Sequence, residues 1–446
     1  MQKLWFGDIK LFSEEYLKKL KGLAGITGVV PDNYQIHVPG YKVSDDILDR
    51  SPFPRGWTEW PVAKKDIEAG GDTDIAYPVY AGIAVQTDDA PILELLEACD
   101  RVGIDVSTHA GLWGYSGNVF PEMGFVDVFG EAIDEKMSPL AIPLCPNEEA
   151  VLAYEAESIV DVMKRYGFPL LNIDHGHFPP LANPHGLLGC ACTRCRARAS
   201  ELGYDFDTMA EAVKELVLKL RRLTATGLEA VYKQATSYTD AISLLGAEEE
   251  VFKWLEFRSK TVSGHVKSVS ERIIKALGKP VPIDSHIMPP SMAYLSGQDI
   301  ALWSKSVDCV SPGWGSAVGW EEATIQNFAA LARLLAGATG ADEGFALEFL
   351  YRIFGYEDVG LPATIKGLEA REYSSFDVYK KEILLMADKI PAGTKILYPF
   401  DATQSMRGRM DEMAELIGSL KPEGIVCFNW GNENTDEELL SIGKCS

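Results

Sequence analysis

The chain has 446 residues, 46% of them hydrophobic and 24% charged, which is enough apolar content for a large core and too ordinary a balance for disorder. Its 42 Lys and Arg against 65 Asp and Glu leave a formal net charge of −23, which repels a phosphate backbone and an anionic lipid surface, so neither nucleic acid nor membrane is an expected partner. The opening MQKLWFGDIKLFSEEYLKKL lacks the basic flank, apolar run and cleavage site of a signal peptide, and no stretch is apolar enough to span a bilayer. The expectation is a soluble, cytoplasmic protein, with a homo-oligomer left open.

Taken in chain order, β-rich runs occur at 26–30, 79–85, 104–111, 169–174, 281–287, 307–312, 394–400 and 424–430, each followed after a loop by a stretch with helical apolar spacing. Eight strands alternating with crossover helices predict a closed (β/α)8 TIM barrel. The helices are plainest at 90–103, 148–167 and 325–340, each ending on Gly as a helix C-terminus prefers. Segments 31–78 and 111–147, rich in Gly, Pro and aromatics, read as long loops after strands one and three. Residues 205–278 read as an enlarged helical excursion after strand four, within one barrel domain covering 1–446. An open Rossmann-type sheet would call for G-x-G-x-x-G after an early strand, and the sequence has none.

Strand ends carry the reactive residues. His37, His109, His175, His177 and His286 lie at or just beyond strand ends, and only His265 falls in a helix. In a barrel the C-terminal strand ends form one rim, so these imidazoles converge although distant in sequence. Asp174 ends strand four, Asp284 lies in strand five and Asp401 follows strand seven, whereas Asp308 opens its strand and reads as structural. Residues two apart share a strand face, so Asn172 points with Asp174, and Asp284 with His286. Any one of these histidines or aspartates is as often a hydrogen-bonded structural residue as a functional one; the grouping carries the argument. Two carboxyl groups on adjacent strands are what hydrolysis of a glycosidic bond needs, one protonated as acid and one ionised as nucleophile or base. Trp113, Trp314 and Trp430, with Trp57 and Trp60 in the first long loop, could stack on the apolar face of a sugar ring.

The eight cysteines of this chain read as reduced thiols. Cys190, Cys192 and Cys195 form a Cys-x-Cys-x-x-Cys cluster that brings three thiolates within reach of one tetrahedral ion, most simply a structural zinc. Cys145, opening the helix after the strand-three loop, is the best fourth ligand, and His185 is the runner-up. Free buried thiols without metal are the alternative.

The stretch from Cys145-Pro-Asn through a helix to a strand ending in NID, then CACTRCRARASELGYD, resembles the corresponding part of family 42 glycoside hydrolases, the β-galactosidase-type (β/α)8 barrels. The resemblance covers roughly residues 140–215 and implies the barrel together with a structural zinc on the lone cysteine and the triplet. The family's strand four ends in Asn-Glu with Glu as acid/base, whereas this chain reads Asn172-Ile173-Asp174, and strand seven offers Asp401 where a nucleophilic Glu is expected. The segment thus looks like uncharacterised glycoside-hydrolase-like barrels in which Asp replaces Glu.

The sequence therefore points to a glycoside hydrolase acting on a small or oligomeric carbohydrate, with Asp174 and Asp284 as the catalytic pair and Asp401 in reserve. His37, His109, His175, His177, His286, Trp113, Trp314 and Trp430 would bind substrate. Two other readings remain: a metal-dependent hydrolase, lyase or isomerase using the His-rich rim, and a non-catalytic carbohydrate-binding barrel.

Overall fold

A computed structural model describes residues 1–31, 35–36, 41–52, 58–64, 75–81, 89–112, 122–132, 144–174, 176–179, 181, 184–312, 317–402, 406–429 and 433–445. Eight strands run parallel: β1 (Gln2–Gly7), β2 (Gly28–Pro31), β3 (Asp105–Gly111), β4 (Leu170–Asp174), β5 (Ile283–Ile287), β6 (Cys309–Pro312), β7 (Lys395–Asp401) and β8 (Gly424–Phe428). They pair in sequence order, β1 pairs with β8, and β2 pairs with β3, so the sheet closes on itself. The chain is a (β/α)8 TIM barrel ringed by helices.

Alternation along each strand divides its side chains between two cores. Val29, Ala110, Ile173, Ile283, Val310 and Ile425 point outward and pack beneath the helices in the main core. Leu4, Phe6, Val30, Cys309, Leu397, Val426 and Phe428 point inward and form a separate cluster inside the barrel. Both faces of a barrel strand are thus covered, which is why β2 and β8 read as almost continuously apolar in sequence.

Helix Ala90–Val102 ends at Gly103 and helix Glu149–Tyr166 at Gly167, both in the left-handed region at φ 74° and 73°, where Gly has no Cβ penalty. Residues 205–278 form four helices, Phe206–Leu220, Ala225–Tyr232, Tyr238–Leu244 and Glu249–Leu277. The last packs along Glu149–Tyr166 and carries His265. No helix among the described residues is long and apolar enough to cross a membrane.

One strand differs from the sequence reading. The described residues of the run 79–85 supply no barrel strand: Ile75–Ala81 pairs antiparallel with Thr58–Lys64, Pro61 faces Pro78 in that hairpin, and 82–85 lie outside the described residues. A β-rich run that satisfies its backbone in a local hairpin has no need of the barrel. The missing strand is β1, where the sequence reading places none. Its outward Lys3 looks out of place in a buried strand, but its ammonium donates to the carbonyls of Ala24, Ile442 and Gly443 at 3.1, 3.0 and 3.3 Å. It thereby caps the C-terminal helix Asp436–Gly443, and a cation there is favoured by the helix dipole.

The first and last strands meet closely at Gly424, where an added Cβ would lie 2.0 Å from the Gln2 carbonyl oxygen and 2.7 Å from Leu397 Cδ2. Backbone cannot yield as a side-chain tip can. Gly424→Ala is expected to destabilise the fold by about 2–4 kcal/mol, measured by urea unfolding.

Candidate functional site

The barrel interior is two-sided. β1, β2, β7 and β8 line it with Leu4, Phe6, Val30, Leu397, Val426 and Phe428. β3 to β6 send in His109, Asn172, Asp174, Asp284, His286 and Ser311, all buried. In the ladder His109 lies opposite Asn172, and Asn172 opposite Asp284. Asp174 and His286 stand two residues further toward the C-terminal strand ends, on the same inward face.

Asp174 is the meeting point. Its Oδ1 lies 2.9 Å from His286 Nδ1 and its Oδ2 3.6 Å from His109 Nε2. The two imidazoles are 5.9 Å apart at their centroids, and the Phe6 ring meets His109 edge-on at 5.0 Å and His286 at 5.9 Å. The apolar wall of β1 thus presses the histidines toward the carboxylate.

Asp284 has a different environment. Asn172 Nδ2 donates to its Oδ2, and Ser311 Oγ donates to the same oxygen at 3.1 Å, so both donors leave Oδ1 free of hydrogen bonds from the described residues. Burial pushes the Asp284 carboxyl above the ordinary aspartate range, against the opposing influence of His286, Asn172 and Ser311. The buried Asn172 Oδ1 has no partner among the described residues, and an acceptor in that condition suits a donor arriving with a ligand.

The loops leaving β4 and β5 are bound to each other. Gln298, fully buried, donates from Nε2 to the carbonyls of Gly176 and His286 at 3.0 and 3.1 Å and accepts from Met288 N at 2.7 Å. Trp320 Nε1 donates to the Ile287 carbonyl at 2.9 Å. Farther along, the buried Glu382 carboxylate accepts from Ser291 N and Oγ, Thr324 Oγ1 and Tyr356 Oη. These residues fix the backbone on which Asp174 and His286 are mounted.

Cys145, Cys190, Cys192 and Cys195 come together with all four sulfurs within 4.8 Å of one another. Cys145 Sγ is 3.5 Å from Cys195 Sγ and 3.4 Å from Cys192 Sγ. Asn147 donates to Cys145 Sγ from its backbone N at 3.4 Å and to Cys195 Sγ from Nδ2 at 3.2 Å. Segment 123–128 lies between them: Cys145 N donates to the Met123 carbonyl at 2.8 Å and Ala191 N to that of Val126 at 2.6 Å. The Cys192 thiol, bonded to Cys145, Cys190 and Cys195, is pushed far below the ordinary thiol range, while Cys145 and Cys195 are pushed up by their sulfur neighbours. Tetrahedral thiolate sites have this donor set, crowding and N–H···S bonding, so the residues fit a metal.

Of the sequence candidates, the structure thus groups His109, Asp174, Asp284 and His286 in the barrel and the four cysteines beside it. Asp401 is fully buried at the inward end of β7. His177 is half-buried, its Nδ1 2.7 Å from the Phe178 carbonyl oxygen. Asp308 accepts from Ile283 N at 3.0 Å, a structural bond at the base of the barrel. His265 pairs with Glu155 at 2.7 Å and with the Pro146 carbonyl at 2.6 Å, away from the lumen. His37, Trp57, Trp113, His175, Trp314 and Trp430 lie outside the described residues, as do the side chains of Trp60 and His185. Phe6, Ser311 and Gln298 were not picked out in the sequence. Strand parity from Cys309 would have found Ser311; nothing local marks Gln298.

No protein-family model and no curated protein matches the chain. Among solved structures it is similar to the PgaB (BpsB) glycoside hydrolase domain from Bordetella bronchiseptica, at 11% identity over 96% of this chain and 94% of that one, with a TM-score of 0.47. It is also similar to a β-galactosidase from the haloarchaeon Halorubrum lacusprofundi, at 12% identity over 100% of this chain and 57% of that one, TM-score 0.46. A GH18 chitinase from Pseudoalteromonas aurantia matches at 10% identity over 100% of both chains, TM-score 0.38.

The upward shift of Asp284 has a definite sign in stability. A carboxyl raised on folding contributes stability that is fully present below its ordinary value of about 3.9 and is lost as pH rises through the folded value. Asp284→Asn should remove this loss, so that as pH rises above about 4 the variant's unfolding free energy declines less than the native protein's. Parallel profiles in urea unfolding would contradict the assignment.

Proposed function

We propose that the barrel interior is the active site of a glycoside hydrolase acting on a small or oligomeric carbohydrate. The observation that carries this reading is the pair Asp174 and Asp284 on one inward face of adjacent strands, in opposite environments. Asp284 is desolvated and has one oxygen free of hydrogen bonds from the described residues, the condition of a carboxyl kept protonated to serve as an acid. Asp174 stands between two imidazoles and acts as the ionised partner.

In this mechanism Asp284 gives its proton to the glycosidic oxygen as the bond to the anomeric carbon breaks. Asp174 supplies negative charge to the developing oxocarbenium centre, either attacking it or taking a proton from the water that does. Water's oxygen ends on the anomeric carbon and its second proton restores Asp284 or stays on Asp174. His109 and His286 orient Asp174 and reach substrate hydroxyls, and Phe6 with Phe428 offers an apolar wall to the sugar face. Asp401 is the third inward carboxyl and the reserve for either role.

The four cysteines would hold a structural zinc that pins the loops after β3 and β4 together, remote from the chemical step. A second reading of the lumen, a metal-dependent hydrolase, lyase or isomerase, is favoured by one observation: ligand atoms of His109, Asp174 and His286 also lie within 4.8 Å of one another.

On a panel of nitrophenyl glycosides and oligosaccharides, Asp174→Asn should lower kcat by about 10³-fold with an unchanged far-ultraviolet spectrum and melting temperature. Full turnover in that variant would refute the assignment. Elemental analysis of the purified protein should find one chelator-resistant zinc per chain, lost in Cys195→Ser together with stability. A second ion whose removal abolishes turnover would instead favour the metal-dependent reading.

A further inference from the structure

Arg258 is the one arginine among the largest fully buried side chains, 0% exposed on the long helix Glu249–Leu277. It pairs with no carboxylate among the described residues. Its Nε donates to the Gly189 carbonyl at 2.8 Å, Nη1 to Leu295 at 2.9 Å and Nη2 to Gly186 at 2.5 Å, and the guanidinium lies 4.5 Å from the Phe178 ring centroid. A buried cation satisfied only by neutral carbonyls leaves its charge unbalanced, which is costly in a low-dielectric interior. The ionisable groups that face it are Cys190 and Tyr294. Gly189, which accepts from Nε, immediately precedes Cys190.

The opposite imbalance lies next door. A divalent cation held by four thiolates carries a net charge of two minus, and the carboxylate closest to it in the chain, Glu148, is already paired with Arg194 at 3.1 Å. Arg194 itself faces the Cys192 and Cys145 charges, and Arg258 adds one positive charge from the buried side.

We infer that Arg258 is the counter-charge of a thiolate-bound divalent metal at Cys145, Cys190, Cys192 and Cys195, and the strut that ties that centre to the loops after β4 and β5. The inference rests on reading the four cysteines as a metal centre and is independent of the carbohydrate chemistry. Its geometric half follows from the carbonyls it holds: Gly186 and Gly189 belong to the loop after β4, and Leu295 to the loop after β5. The planar guanidinium puts a different nitrogen on each of the three carbonyls, a spread that a lysine's single nitrogen does not reproduce.

Zinc affinity measured by chelator competition on the full chain tests it. Arg258→Met is expected to weaken zinc binding about 10–100-fold, the range for outer-shell partners of a metal site. Arg258→Lys, which keeps the charge and loses the fork, should bind zinc within a few-fold of the native protein, yet unfold at lower temperature. Arg258→Met should also destabilise the zinc-loaded protein more than the chelator-stripped one, by the same factor as the affinity change. If Arg258→Met is recovered unfolded, Arg258→Gln compared with Arg258→Lys gives the same contrast between charge and shape. Native zinc affinity in the neutral variants would overturn the inference while leaving the metal centre standing; a native protein that binds no zinc at all overturns both.

Discussion

Everything in this molecule depends on the two-residue alternation of a closed parallel sheet. An outward side chain on a barrel strand meets helices and an inward one meets the other strands, and neither direction reaches bulk water until the strand ends. Polar residues in the strands must therefore find partners inside the lumen or sit at its mouth. β1, β2 and β8 avoid the problem with aliphatic and aromatic side chains. β3 to β6 accept it, and their inward polar groups gather on one side.

That asymmetry is what gives the lumen chemical potential. The same interior desolvates Asp284 and lets Asn172 and Ser311 meet a single one of its oxygens. Two residues further along the neighbouring strand, Asp174 has imidazoles at both oxygens. Two carboxyl groups of identical chemistry thus meet different surroundings, and the aromatic side chains Phe6 and Phe428 come from β1 and β8.

The polar residues outside the lumen serve to hold its mouth. Gln298 bridges the two strands' exits, Glu382 gathers four donors behind the β5 loop, and Arg258 spans three carbonyls beside the cysteines. Each is a buried polar group whose bonds go to backbone or loop partners distant in sequence. Such groups restrict a loop to one geometry because any other leaves them unsatisfied, and this is the kind of restraint that places catalytic side chains on loops that would otherwise wander.

Local pattern and residue chemistry were enough to establish the barrel class, seven of its strands within a few residues, the helical excursion and the cysteine cluster. These depend on periodicity and short spacing, which a sequence displays directly. The alternation also foretold that Asp284 and His286 share a face. It could not distinguish β1 from a surface segment, because Lys3 looks solvent-directed until the C-terminal helix it caps is placed beside it. Nor could it keep the run 79–85 from reading as a barrel strand, because hairpin and barrel strands have the same composition. Which histidines meet Asp174, which oxygen of Asp284 the described donors meet, and why Arg258 is buried were decided only by the tertiary structure, since each depends on groups 27 to 112 residues apart in the chain, which folding alone brings together.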